Sequence, residues 1–198
     1  MPSILLASTN AGKIREFRSL LSGLGYPLVT LAEQGISKVV TETGSSYEEN
    51  ARIKATTYAE LGHLITLADD SGLEVDALGG EPGAYSARFA GEDATDADRI
   101  RALLARLDDI PWEKRTACFK CVIALATAEG RLELCRGECQ GMIAFKARGE
   151  SGFGYDPIFY LPEIGKAMSE LPLEVKNEIS HRAQASQKVH EALKRLCS

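Results

Sequence analysis

The sequence predicts an α/β protein with a mixed, twisted central sheet flanked by helices. Three observations lead there. Apolar runs of strand character alternate with stretches of helical period, the pattern of an α/β chain. Two long β-like runs, 115–128 and 131–145, meet at Ala128-Glu129-Gly130-Arg131 as the arms of a hairpin would, which favours a mixed sheet over a purely parallel one. Finally, 198 residues with 44% hydrophobic and 26% charged side chains suffice to bury a core without disulfides. With no repeat, low-complexity tract or long linker, one domain spanning residues 1–198 is expected.

The elements follow in order. SILLAS (3–8) reads as the first strand and passes through TNAG into a helix whose Ile14, Phe17, Leu20, Leu21 and Leu24 recur at helical spacing. A short apolar stretch, 28–31, precedes a polar loop, and Ser45 with Glu48 forms a capping-box pattern that opens a helix running to about Leu61. HLITLA is a strand that enters an acidic loop, ADDSG, and GLEVDAL is the strand beyond it, closed by the turn GGEPG. Thr95 with Asp98 caps a helix with Ile100, Leu103, Leu104 and Leu107 on its buried stripe. The hairpin comes next, then the Gly/Pro-bounded aromatic segment FGYDPIFYLP. Ser180 caps a final helix that turns Ala185, Val189, Leu193 and Leu196 inward.

A net charge of −5 argues against a protein that grips nucleic acid through its overall field, yet leaves room for a local basic pocket holding a small phosphate ligand. No stretch approaches 18 uninterrupted apolar residues and the N-terminus lacks the features of a signal peptide, so no membrane association and a cytoplasmic location are expected. Five cysteines are an odd set. Cys118, Cys121, Cys135 and Cys139 have zinc-like spacing, but they fall in strand-like sequence without a knuckle turn and read better as core thiols.

Several segments have the chemistry of a site. In STNAGK, small polar residues stand where a strand hands over to a helix, with a lysine in the first turn. Helix amides, Ser8, Thr9, Asn10 and Lys13 suit a phosphate, and the same residues also make an ordinary N-cap. The segment is not a P-loop, because Ile14 occupies the place of the magnesium-binding Ser or Thr. Asp69 and Asp70 are either turn residues or, with Glu42 from the ETG loop, a hard-cation site. Asn50 and Lys54 share one helix face. His181 and Arg182 follow Ser180 at a helix start, where cations are disfavoured unless an anion or carboxylate compensates, and Lys176 is close by in sequence. In Phe153-Gly154-Tyr155-Asp156 the rings could stack on a base or simply form a turn.

As a set these segments resemble the inosine/xanthosine triphosphate pyrophosphatase family. The blocks ASTNAGK, ETGSSYEENARIKA, ADDSGLEVDALGGEPGAYSARFAG, GFGYDPIF and SHRAQA keep the family's order and span residues 4 to about 186, whereas Trp112 and the cysteines belong to no motif. The resemblance implies a mixed α/β fold of two lobes with an active-site cleft between them, a homodimer, a Mg²⁺ requirement, and hydrolysis of ITP, dITP and XTP to the monophosphate and pyrophosphate. It further implies that Ser8 to Lys13 contact the phosphates, that Glu42 and Asp70, with Asp69 beside them, hold Mg²⁺, and that Asp70 is the catalytic base. Ser71, Phe153 to Asp156, Lys176, His181 and Arg182 would bind the nucleotide. A purine 6-oxo group accepts hydrogen bonds from such donors, whereas the adenine amino group leaves two donors facing each other. Two other readings are a non-catalytic nucleotide sensor, which would lack the acidic set, and a pyrophosphatase for modified pyrimidine nucleotides.

Overall fold

A computed structural model describes residues 3–197. Among these residues eight strands form one sheet: β1 (Ile4–Leu6), β2 (Leu28–Thr30), β3 (Ile65–Val75), β4 (Pro82–Gly83), β5 (Thr116–Ala126), β6 (Leu132–Ile143), β7 (Phe159–Leu161) and β8 (Lys166–Ala167), in the order β2-β1-β3-β5-β6-β7-β8 with β4 beside β3. β1 pairs in parallel with β2 and β3, while β4 on β3, β7 on β6 and β8 on β7 are antiparallel, so the sheet is mixed as expected. The described residues also form six α-helices, α1 (Ala11–Leu20), α2 (Tyr47–Gly62), α3 (Asp96–Arg106), α4 (Leu173–Ile179), α5 (His181–Ser186) and α6 (Val189–Cys197). Among the described residues no helix is long and apolar enough to cross a membrane.

The chain divides into two compact units, one of Met1–Asp70, Cys121–Gly137 and His181–Ser198, the other of Ser71–Lys120 and Glu138–Ser180. In the first, strand residues alternate between two cores. Ile4, Leu6, Leu67, Cys121 and Ile123 pack with Phe17 of α1 and with Ala185, Val189 and Leu193 of α5 and α6. Leu5, Ala68, Val122 and Ala124 pack with Ala51, Ala55 and Ala59 of α2. Burial on both faces explains why β1 is apolar at every position, since a strand covered on one side only would alternate. Each fully buried Leu or Phe contributes about 1.5–3 kcal/mol through the apolar area it removes from water.

The second unit centres on Leu73, Val75, Leu103, Leu107, Ile143, Ile158 and Met168, with the Phe119 and Phe159 rings 4.4 Å apart. Its α3 starts as expected: Thr95 Oγ1 accepts the Asp98 N–H, and the Asp98 carboxylate accepts the Thr95 N–H.

Three expectations need correction. The first concerns ADDSG, which is not a loop: 65–75 is one continuous strand. Asp and Ser favour turns when their side chains must find local partners, whereas Asp69 and Asp70 find theirs on other elements and the backbone stays extended. Second, α2 is capped by Ser46, which accepts the Glu49 N–H at 3.2 Å, while Ser45 donates to the Glu49 carboxylate. The sequence contains the S-x-x-E pattern twice, and Glu48 is drawn instead to Arg52 and Arg136. Third, the final helix is broken into α5 and α6, although Ala185, Val189, Leu193 and Leu196 are all buried as anticipated. Gly137 of β6 explains the seat of α5, because a Cβ there would lie 2.2 Å from the His181 carbonyl oxygen.

The cysteine expectation fits the structure. Cys118, Cys121, Cys135 and Cys139 are buried free thiols in β5 and β6, and burial raises their pKa values to about 11, 12, 11 and 11.

Candidate active site

β3 places its two acids by simple alternation. Leu67 belongs to the core under α1 and α5, and Ala68 to the core under α2. A period of two therefore turns Asp69 toward α1 and α5 and Asp70 toward α2. Both are buried, with relative exposures of 2% and 5%.

On the Asp69 face, the β1–α1 junction supplies the polar groups. Asn10 caps α1 by accepting the Lys13 N–H at 3.1 Å, and the Asn10 N–H bonds to Ser8 Oγ at 3.2 Å. Thr9 and Asn10 are exposed and Ser8 half-buried, so this helix N-terminus is open to an anionic ligand. Lys13 reaches in to Asp69, Nζ to Oδ2 2.8 Å, and Arg182 Nε approaches the same oxygen at 3.6 Å. Arg182 Nη1 also donates to Glu16 Oε2 at 2.7 Å. Burial alone would raise the Asp69 carboxyl, but Lys13, Arg182 and Lys54 outweigh it and hold it well below the usual carboxylate range. The carboxylates of Glu16 and Asp69 supply the compensation that cations at the start of α5 require. Glu16 was not singled out from the sequence. The available signal was its place three residues after Lys13, on the same side of α1.

On the Asp70 face, α2 provides the partners. The Asn50 side chain, fully buried, donates from Nδ2 to Asp70 Oδ2 at 3.1 Å and accepts the Gly44 N–H at 2.8 Å. One turn along, Lys54 Nζ lies 2.5 Å from Glu42 Oε1, 2.6 Å from the Asp69 carbonyl oxygen and 3.8 Å from Asp70 Oδ1. Burial, and then the repulsion of Glu42, push the Asp70 carboxyl above its ordinary value despite Lys54 and Lys13. Lys54, though disfavoured by burial, holds its proton more tightly because Asp70, Asp69 and Glu42 surround it.

This oxygen set fits a hard divalent ion. Glu42 and Asp70 already face one cationic group, the Lys54 ammonium, so the place is built for positive charge. Among the described residues no three His, Cys, Asp or Glu side chains form a cage. Magnesium does not require one, since it binds through one or two carboxylates plus water and substrate phosphates.

The second unit carries the aromatic segment. Asp156 Oδ2 accepts the Phe153 N–H at 3.0 Å and Lys176 Nζ at 2.5 Å, and the Lys176 ammonium stands 5.3 Å from the Phe153 ring centroid. Gly152, at φ +82°, passes so close that a Cβ would lie 2.3 Å from Asp156 Oδ2. Asp96 Oδ2 accepts the Gly154 N–H at 2.6 Å. Tyr155 is 4% exposed and its hydroxyl donates to the Ser86 carbonyl, so its ring serves the core, whereas Phe153 stays half-exposed. Ser71 is a half-buried residue of β3, and His181 is the buried first residue of α5.

Comparison with known proteins identifies the family. The sequence profile of the Ham1 family matches residues 4–192. The chain belongs to the Ham1 family. Among relatives of this Ham1 chain, the dITP/XTP pyrophosphatase of Desulforamulus reducens is 47% identical over 193 residues, covering 98% of this chain and 96% of the relative. That of Symbiobacterium thermophilum is 50% identical over 190 residues, covering 96% and 94%. Solved structures agree as well: a HAM1 protein from Coxiella burnetii superposes with a TM-score of 0.88 at 42% identity, covering 98% of this chain and all of that one. The Staphylococcus aureus Ham1 protein gives 0.86 at 41%, covering 98% and 99%.

Proposed function

We propose that this Ham1 protein hydrolyses non-standard purine nucleoside triphosphates, ITP, dITP and XTP, to the nucleoside monophosphate and pyrophosphate, and so clears them from the cytoplasmic nucleotide pool. Relatives named dITP/XTP pyrophosphatases match nearly the whole chain. The observation that carries the chemistry is Asp70, a buried carboxylate of raised proton affinity oriented by Asn50 and flanked by Glu42 and Lys54.

The residues divide the work as follows. Asp70 takes a proton from the water that attacks the α-phosphorus, and the bond to the bridging oxygen of the β-phosphate breaks. Its raised proton affinity suits a base better than an ordinary surface carboxylate would. Glu42 and Asp70 are the residues that would hold Mg²⁺, with Asp69 contributing the carbonyl that fixes Lys54 and the carboxylate that fixes Lys13. When bound, the ion supplies positive charge against the phosphates and makes water there a stronger acid. The amides and hydroxyls of Ser8, Thr9 and Asn10, with Lys13 and Lys54, stabilise charge on the departing pyrophosphate. Phe153 stacks on the base, the backbone of Gly154 to Asp156 frames it, and Ser71, Lys176, His181 and Arg182 complete nucleotide binding, with the 6-oxo group as the acceptor that adenine lacks.

Purified protein incubated with Mg²⁺ and dITP, XTP, ITP, GTP or ATP tests the reading. The first three should yield monophosphate and pyrophosphate. Single phosphate release, or GTP consumed as fast as dITP, overturns it. We further propose a homodimer. The exposed ring of Phe145, beside Trp112, is the kind of surface a second copy covers, and light scattering at the monomer mass would refute this.

A further inference from the structure

α1 carries two charged side chains three residues apart, Lys13 and Glu16, and each is joined to β3 or α5 by a buried ion pair. Lys13 Nζ meets Asp69 Oδ2 at 2.8 Å, Arg182 Nε approaches that oxygen at 3.6 Å, and Arg182 Nη1 meets Glu16 Oε2 at 2.7 Å. The four groups form a circuit of alternating charge, Lys13–Asp69–Arg182–Glu16, whose two ends lie on one helix. Three of them, Glu16, Asp69 and Arg182, have side chains no more than 5% exposed, so solvent screens the circuit little on those arms. The reaction proposed above does not use Glu16.

We infer that Glu16 is a positioning residue for the phosphate end of the site, acting through Arg182 and Asp69 on Lys13; the inference rests on the reading of Lys13 as a phosphate ligand. The physical reason is competition for one oxygen. Asp69 Oδ2 faces both Lys13 and Arg182, and the 3.6 Å contact with Arg182 is the looser of the two because Glu16 engages the guanidinium from the other side. Without the charge of Glu16, the buried guanidinium is drawn more strongly to the Asp69 carboxylate and closes on it. Asp69 then turns from Lys13, and the lysine loses the tether that sets its ammonium at the α1 N-terminus.

The test separates charge from packing. Glu16→Gln keeps the shape and loses the charge, whereas Glu16→Asp keeps the charge and loses a methylene. Positioning by charge ranks kcat/KM for dITP as Glu above Asp above Gln, with Glu16→Gln lowered about tenfold. A packing role ranks Gln above Asp and overturns the inference. A double-mutant cycle with Lys13→Met supplies the second readout: with Lys13 already gone, Glu16→Gln should cost less than about twofold, and an undiminished loss refutes action through Lys13. Calorimetric binding of inorganic pyrophosphate, run through the same cycle, gives the coupling without turnover. Should the wild type fail to cut dITP, the proposed function falls, while coupling or additivity in pyrophosphate affinity still decides the role of Glu16. If Glu16→Gln does not fold, as judged by circular dichroism, Glu16→Asp takes its place in the cycle with a smaller coupling of the same sign to Lys13, and additivity there refutes the inference.

Discussion

Asn50 holds Asp70 with one end of its amide, Nδ2 to Oδ2 3.1 Å, and with the other end accepts the Gly44 N–H at 2.8 Å, two residues from Glu42. One buried side chain thus orients the proposed base and ties down the loop that carries its acidic neighbour. Replacing it takes a donor from a buried carboxylate and an acceptor from a backbone N–H at once. Asn50→Ala should therefore cost about 1–3 kcal/mol in urea unfolding, with a loss of turnover. A change below about 0.5 kcal/mol would mean the amide matters to neither group.

Asp70 should weaken the fold at neutral pH. Its folded pKa lies above its unfolded one, so its contribution is fully present below the ordinary carboxylate pKa and is lost as pH rises through the folded value. Asp70→Asn removes that loss. The variant should melt higher than wild type at pH 7, with the difference shrinking in acid, and turnover should fall about 10²–10⁴-fold. A lower melting point at pH 7, or activity near wild type, contradicts the assignment.

The neighbouring acid should do the opposite. Asp69 has its folded pKa depressed, so its stabilisation is present above the unfolded carboxylate pKa and disappears as pH falls toward the folded value. Asp69→Asn leaves Lys13 and Arg182 without the carboxylate they share, at a cost of about 3–5 kcal/mol. Thermal melts of the two Asn variants at pH 7 should move in opposite directions.

Addition of Mg²⁺ should raise the melting point of the wild type, since a ligand at a hundred times its Kd stabilises the native state by about 2.7 kcal/mol. Glu42→Gln should reduce the shift, because it removes one of the two carboxylates that face the Lys54 ammonium. An identical shift in the variant would place the ion elsewhere.

Thiol accessibility offers a check on the core. Cys197 is exposed, and the other four cysteines are buried with raised pKa values. Native protein should react at that one position with Ellman's reagent and at all five once unfolded. Rapid reaction of a second thiol would show that β5 or β6 opens.

Much of this was legible in the chain. Apolar period found α1, α3 and the β5–β6 hairpin, because those elements are specified by what they bury. The Thr95/Asp98 capping box was legible for a local reason: both partners lie within one turn. Asp69 and Asp70 were misread as a loop because their turn preference is local while their partners, on α1, α2 and α5, are remote in sequence. Glu16 was hidden for the same reason, its partner Arg182 lying 166 residues away. The two serines before α2 show a finer limit, in which two registers of one capping pattern compete and only the fate of Glu48 decides between them.

That Asp69 and Asp70 share one unbroken strand gives the count of residues in β3 a chemical meaning. Pairing of Leu6 with Leu67 fixes which acid turns toward α1 and which toward α2. A slip of one position along β1 would keep the composition and the pairing of the strand, yet it would hand the proposed base to Lys13 and Arg182 and the proposed tether to Asn50. Parity, the evenness or oddness of a residue's place in the strand, thus separates acid chemistry from scaffold here, and an insertion of two residues before Asp69 should be far better tolerated than an insertion of one.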